Sequence, residues 1–240
     1  EWNIPCVGIH TPRAIGELSR SIIDDVARQT EALVAPLEQV AGVRLDIDRL
    51  REVVVLSKRC TELWKAVLDT AASRPSPLTF FDATIQMGPA VVLRGTQDAV
   101  DYYEALLAEL KARVADGVAA IQGERFRVYW EGMPIWGRLK ALSEQFLALR
   151  TCVVASTYCN SWVFDDLDAS DPFAGMARAY SSIFICRSDD YKERHIERMV
   201  GKFGVDGILY HDAKTCPNNS NNRYEMPRRL QERLKKPYIV

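Results

Sequence analysis

The sequence predicts an α/β fold in which a largely helical first half is followed by a parallel-sheet lobe. Two observations carry this. Apolar positions recur at near-helical spacing through the first half, and from residue 125 short β-branched and aromatic runs alternate with amphipathic stretches. That alternation is the mark of βαβ units, so residues 124–240 are expected to form a Rossmann- or flavodoxin-like lobe and residues 1–123 a mainly helical region.

Along the chain, residues 7–9 are strand-like and place His10 at a strand end. Thr11-Pro12 then opens a helix, since Thr can cap free amides and Pro suits the first helical position. That helix is expected over residues 13–40, through Ile15, Leu18, Ile22, Val26, Leu33 and Leu37, with Pro36 kinking or ending it and Gly42 marking a stop. Asp46 or Asp48 caps a second long helix through Leu50, Val54, Leu63 and Val67, which ends before Pro75-Ser76-Pro77. Further helices are expected near residues 80–93 and 97–121. Strands are expected at 127–130, 152–156, 207–210 and 238–240, with helices at 138–149, 172–185, 189–203 and 227–234. No internal repeat is seen.

Composition excludes several classes. With 48% hydrophobic and 26% charged residues, the chain can bury a core. A net charge of -1 does not suit a phosphate-backbone binder, so nucleic acid is not an expected partner. The longest apolar runs fall far short of the roughly 20 residues of a membrane span, and Glu1 to Cys6 has no signal-peptide character. Six cysteines without an export signal read as reduced thiols, which places the chain in the cytoplasm.

In open parallel sheets, ligands bind beyond the carboxyl ends of the strands, where loops and helix amino termini converge. Three loops qualify: residues 131–137, 157–162 and 211–223. Cys159 and Cys216 lie on the second and third, where thiolates suit an Fe–S cluster or another soft metal; the competing reading is a pair of ordinary loop or core cysteines. His211 is a candidate acid or base, or a structural histidine. Glu131 lies on the first loop, and Trp130, Trp136, Tyr158 and Trp162 flank the loops as pocket walls for a flat acyl group or as plain core. Asn218 and Asn219 belong to an amide-rich loop able to hydrogen-bond cluster sulfides, a thioester or a phosphate-rich tail, or simply to form a solvated turn. Cys60, Cys152 and Cys186 read as packing residues, Cys6 as structural and His195 as a solvated helix residue.

The segments Tyr129-Trp130-Glu131-Gly132-Met133-Pro134-Ile135-Trp136-Gly137, Ser156-Thr157-Tyr158-Cys159-Asn160-Ser161-Trp162 and His211-Asp212-Ala213-Lys214-Thr215-Cys216-Pro217-Asn218-Asn219-Ser220-Asn221 resemble the benzoyl-CoA reductase and 2-hydroxyacyl-CoA dehydratase family, with the reductase branch the nearer match. The likeness extends to Ile9-His10-Thr11-Pro12-Arg13-Ala14 and to Phe80-Phe81-Asp82-Ala83-Thr84-Ile85-Gln86-Met87-Gly88-Pro89.

The resemblance implies a subunit that holds a 4Fe-4S cluster by three cysteines beside a CoA-thioester pocket. Cys159 and Cys216 match the second and third ligands. The first would lie upstream of Glu1, in keeping with a start lacking Met and an end in the strand-like Tyr238-Ile239-Val240. The implied partners are a homologous cluster-bearing subunit, an ATP-hydrolysing activator with its own iron-sulfur cluster, and ferredoxin as the upstream donor. The implied reaction is reduction of the aromatic ring of benzoyl-CoA with low-potential electrons; in the dehydratase branch it is loss of water from a 2-hydroxyacyl-CoA through a ketyl radical. No P-loop appears, so ATP belongs to the partner. A third expectation is a non-catalytic partner subunit that contributes its long helices to an interface.

Overall fold

In the segment Phe126–Glu131 (β1), Val128 and Trp130 turn to one face of a sheet, while Arg127 and Tyr129 turn to the other. In this computed structural model, which describes residues 6–213 and 225–240, β1 is joined by Thr151–Ser156 (β2), Gly207–Tyr210 (β3) and Tyr238–Ile239 (β4). The pairs β1–β2, β1–β3 and β3–β4 are all parallel, in the order β2-β1-β3-β4. Every residue of β2 is buried, as expected of a strand covered on both faces. Its register against β1 slips between Val128 and Tyr129. All four strands were anticipated, to within a residue at each end.

The helices before the sheet are α1 (Arg20–Glu31), α2 (Val34–Ala41), α3 (Ile47–Asp69), α4 (Phe80–Gln86), α5 (Gly88–Val92) and α6 (Gln97–Ala115). Two sequence expectations need correction here. The first helix starts at Arg20 under a Ser19 cap, not at Thr11-Pro12. Tertiary pairing competes for the earlier residues: Ala14 bridges to Arg187, its N–H donates to Cys186 O at 3.0 Å, and Gly16 turns the chain at φ +78°. Residues 7–9 form no strand, so His10 is not a strand end; its backbone is held by the Gln29 side chain.

Other boundaries follow local chemistry. Pro36 falls in the first turn of α2, where its missing N–H costs nothing, and the break comes before it. Asp46 caps α3 by accepting from Asp48 N and Arg49 N. Thr79 and Asp82 form a capping box on α4. α6 stops at Ala115, short of residue 121, because Gly117 adopts φ +66° and Val118 N–H closes on Arg113 O at 2.8 Å.

Within the sheet lobe, α7 (Leu139–Ala148) leads from β1 to β2. The chain then crosses back over β1 through α8 (Thr157–Asn160), α9 (Pro172–Ser182) and α10 (Asp189–Lys202) to β3, and α11 (Met226–Leu234) leads on to β4. The helix expected to run to residue 185 ends at Ser182, because Ile183 is extended (ψ 146°); a 3-10 turn, Phe184–Cys186, follows.

The sheet separates two cores. On one side Trp64, Phe80, Phe81 and Tyr103 pack on Trp130, Val153 and Cys159. On the other, Ile196, Val200, Met226 and Leu230 pack on Tyr129, Cys152, Val154 and Ile208. Phe80 stacks on Trp130 with ring centroids 5.0 Å apart, and burying each such side chain contributes roughly 1.5–3 kcal/mol. Among the described residues no helix is long and apolar enough to cross a membrane.

Candidate functional site

β1 sends the chain toward β2 on one side and pairs with β3 on the other, so the connections diverge at the carboxyl ends of β1 and β3. A divergence of this kind opens a crevice. Here it is bridged by His211, whose N–H donates to Glu131 O at 2.8 Å and whose Nδ1 lies 2.6 Å from Met133 O. A carbonyl can only accept, so Nδ1 carries the proton and Nε2 is left as the basic nitrogen. The indole N–H of Trp130 donates to the same carbonyl at 3.1 Å, with its ring centroid 6.2 Å from the imidazole.

The aromatic candidates divide by burial. Trp130 is 1% exposed, stacked on Phe80 and edge-on to Phe81, and backs the crevice from within the core. Trp136 is 50% exposed, and its ring meets Tyr158 edge-on at 5.8 Å. This pair joins the loop after β1 to α8, the turn that follows β2. Trp162 packs against the core around Trp64 and Phe80 and against a small cluster of Val54, Phe164, Leu167 and Ala179.

Glu131 is buried. Its carboxylate accepts from the Thr157 hydroxyl, which lies 2.7 Å from the Tyr129 hydroxyl. Burial first, and then the Glu131 carboxylate, push the Tyr129 phenol well above its ordinary pKa, so it stays a neutral donor. This chain of hydroxyls locks α8 to β1; Tyr129 and Thr157 lie inside the family-like segments, but nothing in the sequence pairs two hydroxyls 28 residues apart.

Cys159 rides on α8, where its N–H donates to the capping Ser156 Oγ at 3.1 Å. The thiol is 1% exposed, with the Thr84 hydroxyl 3.8 Å from Sγ. Burial pushes it up to about 11, the Ser156 and Thr84 side chains offsetting part of the rise, so in this packing it is a thiol. Donor type, place and neighbouring hydroxyls suit one ligand of an Fe–S cluster. The space does not: the adjoining void is about 10 Å³, so ligation requires the thiol to leave this packing. Cys216, Asn218 and Asn219 lie outside the described residues, among which no group of three or more metal-ligating side chains occurs.

Cys60 and Cys152 are wholly buried packing residues, and burial raises the Cys152 thiol to about 12. Cys186 lies in a 3-10 turn rather than on a helix face, 3.8 Å from the Thr11 hydroxyl. His195 is not a solvated helix residue. It turns inward against Phe184, its Nε2 is buried without a partner, and burial followed by the charge of Arg198 lowers its pKa to about 4.

The profile of the family described as 2-hydroxyglutaryl-CoA dehydratase, D-component, matches residues 1–240. The chain is 30% identical to the B subunit of benzoyl-CoA reductase from Thauera aromatica, over 99% of this chain and 58% of that protein. It is 29% identical to the (R)-2-hydroxyisocaproyl-CoA dehydratase alpha subunit of Clostridioides difficile, over 99% and 59%. It is 28% identical to the alpha subunit of lactoyl-CoA dehydratase from Anaerotignum propionicum, over 100% and 57%. The chain thus spans a little under three fifths of the length of these relatives.

Proposed function

This chain belongs to the 2-hydroxyglutaryl-CoA dehydratase D-component family, and from that premise we propose that it is part of the iron-sulfur subunit of a cytoplasmic, ATP-dependent reductase that reduces the aromatic ring of benzoyl-CoA or a related aromatic acyl-CoA. The observation that carries the reading is the aromatic pair Trp136–Tyr158, which joins the loop after β1 to the turn bearing Cys159, in a chain similar along its length to a benzoyl-CoA reductase subunit.

In this reading Cys159 and Cys216 hold a 4Fe-4S cluster, which when bound supplies low-potential single electrons to the thioester. The protein residues do the rest. Trp136 and Tyr158 clasp the flat acyl group; the buried Trp130 fixes the loop that carries Trp136, and the buried Glu131 fixes α8, which carries Tyr158. Asn218 and Asn219 hydrogen-bond the thioester. His211, its Nδ1 proton committed to Met133 O, holds or gives up a proton at Nε2. A homologous cluster-bearing subunit completes the complex, and an ATP-hydrolysing activator fed by ferredoxin delivers the electrons.

A second reading, a 2-hydroxyacyl-CoA dehydratase subunit, is favoured by the names of the other similar proteins. The test is to assemble the full-length subunit anaerobically with its partner and activator, then analyse products from benzoyl-CoA and from a 2-hydroxyacyl-CoA. A cyclic dienoyl-CoA supports the first reading and an enoyl-CoA the second. Absence of both products, with no iron retained, leaves the role of a non-catalytic assembly partner. Iron content that is unchanged by Cys159→Ala or Cys216→Ala would sink the ligand assignment.

A further inference from the structure

A cavity of about 420 Å³ opens on the other side of α8 from the buried Cys159 thiol. Thr157, Asn160 and Ser161 supply one wall; Arg187, with Tyr191, His195 and Arg198 from α10, supplies the other. The acidic residues at its rim are engaged. Asp165 is paired with Lys65 at 2.8 Å, and Asp166 accepts from the Ser182 hydroxyl at 2.6 Å.

Neither Arg187 nor Arg198 has a carboxylate partner among the described residues, although Arg187 is only 8% exposed. Arg187 Nη2 donates to Gly16 O at 2.8 Å and its guanidinium lies 4.1 Å over the Tyr191 ring, but its buried Nε has no acceptor. Arg198 approaches the same ring at 6.0 Å. The buried Nε2 of His195, in the same wall, is also unpartnered. A buried guanidinium without a counter-charge and two orphaned ring or guanidine nitrogens around one cavity are costly features, and an anion removes that cost.

We propose that this cavity is a phosphate-receiving site, with Arg187 and Arg198 as its anion contacts. Among the described residues Asp166 has no cation of its own, so the two guanidinium groups leave about one net positive charge at the cavity; a phosphate suits it better than a carboxylate because its three acceptor oxygens can meet both guanidinium groups and the orphaned nitrogens together. The volume exceeds that of a phosphate ion and suits a phosphorylated small molecule. A CoA ester is one source of that group, a choice that rests on the function proposed above; a free nucleotide or inorganic phosphate is the other.

The test is isothermal titration of the full-length subunit with CoA, AMP and inorganic phosphate, for the wild type and for Arg198→Ala and Arg187→Gln. We expect at least one probe to bind and each substitution to weaken it tenfold or more, with iron content and circular dichroism unchanged in Arg198→Ala. Arg198 is exposed, so that variant carries the test if Arg187→Gln does not fold. CoA binding weakened by the substitutions identifies the ester as the source. Binding of AMP or phosphate without CoA supports the site and counts against the CoA-ester function. CoA binding of equal strength in wild type and variants overturns the site and leaves that function standing. Failure of all three probes to bind overturns the site.

Discussion

The indole N–H of Trp64, on α3, donates to the backbone carbonyl of Cys159, on α8, across 3.1 Å and 95 residues of chain. Trp64 is wholly buried, so the helical half directly braces the turn that carries the candidate ligand. Trp64→Phe keeps most of the apolar body and removes the donor, leaving the carbonyl a longer bond from Trp162 N at 3.4 Å. A loss of about 1–2 kcal/mol in urea unfolding is expected. A change under about 0.3 kcal/mol would show that the bond contributes nothing.

Arg127 is the second brace. It is fully buried in β1, pairs with Glu124 at 2.8 Å, and donates to Phe203 O at 2.8 Å, Ser73 O at 2.8 Å and Ala71 O. Arg127→Met breaks a buried pair from one side and strands the Glu124 carboxylate and three carbonyls. The expected cost is about 3–5 kcal/mol. Arg127→Met with Glu124→Gln should recover part of it, and a double variant no more stable than the single one would argue against a buried charge as the cause.

The strands and most helix ends were readable because they rest on local chemistry: the run Gly207–Tyr210 and the Asp46 cap each act within a few residues. What could not be read rests on contacts distant in sequence. The Thr11-Pro12 start fails because Ala14 is claimed by Arg187. The Cys159 turn has only four residues, too short for any periodicity, and its placement between Trp64 and Thr84 depends on helices far earlier in the chain. An arginine inside a strand reads as solvent-facing until Phe203, Ser73 and Ala71 are seen to surround it. On α10, polar residues all along the helix hide that His195 faces inward.

His195 gives a pH dependence whose sign can be worked out. Its folded pKa, about 4, lies below the ordinary 6.5, so the unfolded chain takes up the proton more readily. Above pH 6.5 both states are neutral and the group contributes nothing. As pH falls from about 6.5 to 4, stability is lost, up to roughly 3 kcal/mol at about 1.36 kcal/mol per unit. Unfolding midpoints in phosphate-free buffer should decline through this window in the wild type and flatten in His195→Leu. Glu38, Asp168 and Glu225, whose pKa values are lowered by hydrogen bonds, act only below the carboxylate range, from about 4.5 downward. A decline confined to that lower range would show that His195 is not held neutral.

Gly175 marks where α9 meets the segment that follows α8. A Cβ there would lie 2.6 Å from both the backbone N and O of Asp168, and backbone atoms cannot turn aside as a side-chain tip can. The helix and that segment share the small core of Phe164, Leu167 and Ala179 with Val54 of α3. Gly175→Ala therefore forces the segment after α8 outward, against the gain in helix propensity that alanine brings to an exposed site. The expected net loss is about 1–3 kcal/mol in denaturant unfolding. Because Asp165 and Asp166 of the same segment line the arginine cavity, displacement should also weaken the tightest of the phosphate-bearing probes. Gly201, on α10, would carry a Cβ with nothing within 4 Å of it, so Gly201→Ala is the matched control and should be neutral or stabilising. Equal stability of the two variants would mean that the approach of Gly175 to Asp168 is looser than 2.6 Å implies.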